Sequence, residues 1–179
     1  MSKNIEVETR SFIDDGQYQA IKERLDSDAG LIRDLDEVTV YFSGEKDLRM
    51  RKNANEAFVI LKEGKLHDDF RDEFEVRIDR KDFDDMAELF RALGYEIEIE
   101  WHRKRLEYEA GGTKVLLDDT KGYGKILELE RMAEEGQAED TYQELLREME
   151  RFGIRQVTSK EEFNQRFEYY KHNWQKLIR

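Results

Sequence analysis

The sequence predicts an α+β fold: an eight-stranded antiparallel β-barrel with flanking and C-terminal helices. Three observations predict it. Segments with strand periodicity and segments with helix periodicity alternate along the chain, with no low-complexity linker between them. About eight of these segments read as strands, and nearly every one backs apolar residues with a row of charged side chains. Eight strands with one polar face can close around a lumen wide enough for a small ligand. The 179 residues amount to one ordinary domain, expected to span 1–179, with the helices of 138–179 closing the barrel.

The elements follow in order. Ile5 to Phe12 alternates apolar and polar residues, as a half-buried strand does, and Gln17 to Leu25 places Tyr18, Ile21 and Leu25 on one helical face. Val38 to Phe42, Leu48 to Lys52 and Ala57 to Lys62 read as short strands, separated by turns at Ser43-Gly44 and Asn53-Ala54-Asn55. Phe70 to Ile78 is the next strand. Asp79 or Asp82 is expected to cap a helix that buries Phe83, Met86, Ala87, Phe90 and Leu93 and ends at Gly94. Ile97 to Glu109 and Lys114 to Asp118 form a hairpin across Gly111-Gly112, and Lys125 to Arg131 is the last strand. Asp140 is expected to cap a helix with Tyr142, Leu145, Leu146, Met149 and Phe152 inside. Ser159 and Glu162 suggest a capping box for a final helix carrying Phe163, Phe167 and Trp174.

Composition narrows the partners. Charged residues make up 41% of the chain and the formal net charge is −12, a surface that repels nucleic-acid backbones at long range. Nucleic acid is therefore not an expected partner, and any phosphate site must be a local basic cluster. The apolar fraction of 38%, arranged periodically, argues against disorder. There is no cysteine, which excludes disulfides and thiolate metal sites and leans towards a cytoplasmic location. No apolar run approaches the ~18 residues of a membrane span, and Met1-Ser2-Lys3-Asn4-Ile5 lacks a signal peptide's apolar core. His67, His102 and His172 are scattered without metal-ligand spacing.

The charged strand faces carry the chemistry. Side chains two apart in a strand point the same way. By that rule Glu6, Glu8 and Arg10 share a face; so do Arg49 and Arg51; so do Arg71, Glu73, Glu75 and Arg77; so do Arg103 and Arg105; and so do Glu128 and Glu130. Lys62 lies opposite Val59 and Leu61, and Asp118 opposite Val115 and Leu117. A solvated sheet face would carry such charges too, but mixed with Thr, Ser and Gln. Three Glu-x-Glu pairs and two Arg-x-Arg pairs instead place like charges side by side, each costing a few tenths of a kcal/mol or more. Such repulsion is understandable where a ligand is held between the groups. Paired carboxylates suit a hard cation, and paired arginines suit phosphate oxygens.

Taken together the motifs resemble the CYTH family, the triphosphate tunnel metalloenzymes. Glu6-Val7-Glu8-Thr9-Arg10 is similar to the family's N-terminal E-x-E-x-K strand. Arg49-Met50-Arg51 resembles its R-x-R strand, Lys62 its lone lysine, and Arg71 with Glu73-Phe74-Glu75 its R-x-E-x-E strand. Arg103-Lys104-Arg105 with Tyr108 resembles K-x-R-x-x-Y, and Asp118 through Gly122-Tyr123-Gly124 to Glu128-Leu129-Glu130 resembles the closing motif. The resemblance covers roughly residues 5–131. Arg10 and Arg103 stand where the family carries lysine; arginine keeps the charge but stays protonated, so it is no proton donor.

The resemblance implies an eight-stranded tunnel that binds a triphosphate with Mg2+ or Mn2+. It implies metal ligation by Glu6, Glu8, Asp118, Glu128 and Glu130, with Glu73 and Glu75 offering a second site or balancing neighbouring arginines. It implies phosphate binding by Arg10, Arg49, Arg51, Lys62, Arg71, Arg103 and Arg105, with Arg77 near a strand end as a structural residue. Glu6, Glu8 and Arg10 are the catalytic candidates, Glu6 as the base. The implied activity is hydrolysis of an inorganic or organic triphosphate. Cyclisation of ATP by a class IV adenylyl cyclase and non-catalytic binding of polyphosphate or a phosphorylated metabolite are the alternatives. The C-terminal aromatic helix could form a homodimer, and covering a barrel end explains it equally well.

Overall fold

Alternation of apolar and charged residues is realised as strands throughout. The computed structural model describes residues 4–63, 72–134 and 136–179. Its elements are β1 (Asn4–Ile13), α1 (Asp15–Asp28), β2 (Gly30–Phe42), β3 (Asp47–Lys52), β4 (Ala57–Glu63), β5 (Asp72–Ile78), α2 (Phe83–Ala92), β6 (Ile97–Ala110), β7 (Thr113–Thr120), β8 (Gly124–Glu134), α3 (Ala138–Arg151) and α4 (Lys160–Leu177). The strands pair in the order β1-β8-β7-β6-β2-β3-β4-β5. The pairs β1/β8, β7/β8, β2/β3, β3/β4 and β4/β5 are all antiparallel.

β1 and β5 end the strand order, and among the described residues no ladder joins them. The fold is an eight-stranded antiparallel sheet with helices, and the sheet does not close among the described residues. Closure needs the backbone groups of two edge strands to meet in register. The period-2 pattern that identifies a strand does not say which edges pair.

The chain divides into two compact units, Met1–Asp34 with Lys104–Glu168, and Leu35–Arg103 with Tyr169–Arg179. In the first, the apolar faces of the strands contribute Val7, Leu106, Tyr108, Val115, Leu117, Leu127 and Leu129 to one core. Helix α1 adds Tyr18, Ile21 and Leu25, and α3 adds Leu145 and Met149. Each such side chain, fully buried, favours folding by about 1.5–3 kcal/mol. Tyr108 sits in this core and donates its hydroxyl to Asp26 of α1 at 2.7 Å. Arg131 of β8 fixes α3 from the same unit, donating to Thr113, Glu144 and Glu148. In the second unit Val40, Phe42, Met50 and Ala57 pack with Phe83, Met86, Ala87 and Phe90 of α2.

Local signals set the ends of the elements. Asp14 accepts from the Gln17 N–H at 2.8 Å and the Gln17 side chain accepts from the Asp14 N–H at 2.9 Å, a complete capping box for α1. Ser159 accepts from the Glu162 N–H at 3.1 Å, but the Glu162 carboxylate turns to Arg166 at 2.8 Å instead of completing a box. Helix α3 starts at Ala138, before the expected Asp140 cap, and its N-cap Gln137 makes no side-chain capping bond. Asp79 caps the short 3-10 turn Arg80–Asp82 that leads into α2. Gly111 and Gly112, at φ 60° and 84°, form the two-residue β6–β7 turn that demands positive φ at both positions.

Candidate functional site

Register explains how the charged residues of the first unit come together. Cross-strand partners in an antiparallel pair point to the same side. Glu8 pairs with Glu130 and Arg10 with Glu128 across β1 and β8, and Glu6 is opposite Met132. Across β8 and β7, Glu130 pairs with Lys114 and Glu128 with Leu116. One row therefore runs Glu8, Glu130, Lys114, and the next runs Arg10, Glu128, Leu116.

Glu6, Glu8 and Glu130 each place a carboxylate oxygen within 4.8 Å of the others. Three carboxylates at this spacing offer only hard oxygen donors, which fits Mg2+ or Mn2+ and does not fit a soft metal. Burial, followed by the nearby Glu130 charge, raises the Glu6 carboxyl above its ordinary range, while Lys114 pulls it down. Lys114 donates to Glu130 at 2.8 Å and stands 4.0 Å from Glu107. Burial opposes its charge, but Glu130, Glu107 and Glu6 outweigh that and hold its pKa above the ordinary lysine value.

Glu128 lies one row inside this triad and is 8% exposed. Its pKa is pushed up to about 8, first by burial and then by the Glu8 charge, against the pull of Arg105. Asp118 is buried and accepts two hydrogen bonds from one guanidinium: Arg105 Nε at 2.7 Å and Nη2 at 2.6 Å. The same Nη2 reaches Glu128 at 3.5 Å. Asp118 thus sits with Arg105 and Glu128 rather than within the Glu6-Glu8-Glu130 triad. Arg10 is exposed, with its guanidinium 4.7 Å from the Phe163 ring centre.

The second unit carries the other basic residues. Tyr41, Arg49 and Ile60 pair across β2, β3 and β4, as do Thr39, Arg51 and Phe58, so these side chains share one face. Lys62 joins that face, paired with Asp47 on one side and Glu73 on the other. Arg49 donates to both oxygens of Asp47 at 2.6 and 2.5 Å and stacks 4.5 Å from the Tyr41 ring centre. Arg51 bonds Glu75 at 3.0 Å. Arg77 approaches Glu56 at 3.4 Å. Arg103 donates to Glu37 at 2.7 Å, and Glu37 is a carboxylate only 5% exposed. Trp101 stands 6.5 Å from Tyr41 and 5.1 Å from Tyr170, ring centre to ring centre. Arg71 and the side chain of Glu73 lie outside the described residues.

Several residues of these clusters escape the sequence reading, among them Lys114, Glu107, Glu37, Asp47 and Glu56. Lys114 shares strand parity with Asp118, four residues on, which is the signal that marks it. Glu37 shares parity with Thr39 and Tyr41, but β2 begins at Gly30, eight residues before the expected start, so Glu37 falls outside the strand as read from sequence. No helix among the described residues is long and apolar enough to cross a membrane.

Comparison with known proteins agrees with this layout. No curated protein matches the chain. Among solved structures, protein PH1012 of Pyrococcus horikoshii is 20% identical with a TM-score of 0.67, covering 85% of this chain and 92% of its own. A conserved hypothetical protein of Pyrococcus furiosus is 22% identical with a TM-score of 0.66, covering 84% and 92%. A Hippeastrum protein, described as an adenylyl cyclase candidate with a dominant triphosphatase activity, is 18% identical with a TM-score of 0.65, covering 88% and 91%. At these identities the likeness shows the fold. The CYTH domain profile matches residues 4–163, which hold all eight strands and helices α1 to α3, and the chain belongs to the CYTH domain family.

Proposed function

We propose that the protein is a divalent-cation-dependent triphosphatase that hydrolyses an inorganic or organic triphosphate. The observation that carries this reading is the convergence of the Glu6, Glu8 and Glu130 carboxylates within 4.8 Å. A Mg2+ or Mn2+ ion held there would neutralise charge on phosphate oxygens. Asp118 and Glu128, gripped by Arg105, would support that centre, and Glu75 would balance Arg51. Arg10, Arg49, Arg51, Lys62, Arg103 and Arg105 are assigned to phosphate oxygens, with Arg49, Arg51, Arg103 and Arg105 exchanging part of their present carboxylate pairing for the substrate. Glu6, whose carboxyl titrates above its ordinary range, is assigned to accept the proton of the attacking water. That water bonds to the terminal phosphorus as the bridging P–O bond breaks, and orthophosphate leaves with the shortened phosphate chain. The dominant triphosphatase activity described for the Hippeastrum relative supports hydrolysis over cyclisation.

The second reading, formation of cyclic AMP from ATP, is favoured by a Vibrio parahaemolyticus relative described as an adenylate cyclase candidate, 16% identical with a TM-score of 0.61. One assay separates the two. With Mg2+ and either ATP or tripolyphosphate, hydrolysis releases orthophosphate, whereas cyclisation of ATP releases pyrophosphate and cyclic AMP. Glu130→Ala and Arg51→Ala should each reduce turnover at least about a hundredfold while leaving the fold intact. Near-wild-type turnover in either variant would remove that residue from the site. Binding of tripolyphosphate without turnover of any triphosphate would make the protein a binding module.

A further inference from the structure

Lys114 is the one cationic side chain hydrogen-bonded to the carboxylate triad among the described contacts. It occupies the β7 position of the row that continues through Glu130 to Glu8, so backbone register fixes its place. Its Nζ donates to Glu130 Oε2 at 2.8 Å, and Glu107 Oε1 lies 4.0 Å away. The ammonium is a compact charge on a flexible four-carbon stem, and it has three donors to place. The side chain is 39% exposed, which leaves it room to swing, and Glu107 gives it a second carboxylate to swing to.

We infer that Lys114 is a tethered counter-cation of the Glu6-Glu8-Glu130 cluster, holding Glu130 when no divalent ion is bound and yielding it to Glu107's side when one binds. This rests on reading that cluster as the cation site. Lys114 then sets the affinity of the site. It screens the repulsion among the three glutamates in the ion-free protein, and its charge stands against the incoming cation. The consequence is weaker, more readily reversible cation binding than three carboxylates alone would give.

The test is Mn2+ binding to the substrate-free protein, measured by electron paramagnetic resonance and by calorimetry at pH 8. Lys114→Met keeps the stem and removes the charge; Lys114→Gln repeats the test with a polar group; Lys114→Arg keeps the charge. Met and Gln variants should bind Mn2+ about tenfold more tightly than wild type, from loss of one nearby repelling charge. The Arg variant should stay within about twofold of wild type, on the same Coulomb argument. Unchanged or weaker binding in the Met and Gln variants overturns the inference. Glu8→Gln separates this from the underlying reading. If wild type binds Mn2+ and Glu8→Gln does not, the cluster is the cation site whatever Lys114 does. If wild type and Glu8→Gln bind alike, or neither binds, the cluster is not the site and both readings fall.

Discussion

Glu128→Gln should remove much of the loss of stability that the cation-free protein suffers as pH rises. Glu128 is nearly buried, and its carboxyl titrates at about 8 against an ordinary 4.5. Its folded-state pKa is raised, so the folded protein retains a proton that the unfolded chain has already released. The stabilisation is fully present below the unfolded pKa and disappears as pH climbs through the folded one. Within that window the slope approaches 1.4 kcal/mol per pH unit, and the full shift has a ceiling of about 5 kcal/mol. Glutamine keeps the volume of the side chain and never ionises. The measurement is urea unfolding in EDTA at several pH values from 5.5 to 8.5, for wild type and variant together. The stability difference should move by about 3 kcal/mol in favour of the variant across that range. The three histidines are common to both proteins and cancel. Parallel curves for the two proteins would refute the reasoning, because they would mean that Glu128 ionises as easily in the folded chain as in the unfolded one.

Two further outcomes follow from the same geometry. Mg2+ or Mn2+ should raise the melting temperature more at pH 8 than at pH 6, because the proton held by Glu128 beside the cluster competes with the ion; a shift independent of pH would count against cation binding at this face. Gly124→Ala should destabilise the β7–β8 turn by about 1–3 kcal/mol, read by thermal or urea unfolding. Gly124 has φ 134° and an added Cβ would meet the Phe12 ring at 3.3 Å, so a neutral result would show that the turn relaxes freely.

The sequence was most legible where one property is fixed by strand parity alone. Glu6 with Glu8, Arg49 with Arg51, and Glu128 with Glu130 share faces because alternation leaves no choice. Parity does not choose partners across strands. That Asp118 is gripped by Arg105, and that Arg49 is held by Asp47 two residues earlier, depends on register and on rotamers. Element starts were hidden where tertiary pairing outweighs pattern: Leu31 and Ile32 are adjacent, about half exposed, and still in β2. Apolar parity also failed to guarantee burial. Phe74 and Val76 are more than half exposed on β5, which ends the strand order.

The two charged faces, each taken alone, differ in sign for a chemical reason. Among the described residues of the first unit, Glu6, Glu8, Glu107, Asp118, Glu128 and Glu130 stand with Arg10, Arg33, Arg105 and Lys114. These six carboxylates outnumber the four named cations and cannot all stay ionised at low cost, and the raised Glu6 and Glu128 carboxyls are the response of the cation-free protein. A divalent ion would supply the missing charge without a proton. In the second unit Arg49, Arg51, Lys62, Arg77 and Arg103 meet Glu37, Asp47, Glu56 and Glu75. Each named arginine there already has a carboxylate partner, so an anion must win it by offering more oxygens than one carboxylate does. A triphosphate does so, with several oxygens per phosphorus, whereas a monocarboxylate ligand merely exchanges like for like. The chain's negative total charge therefore selects against weak anions and leaves densely charged phosphates, arriving with their cation, as the ligands this pattern favours.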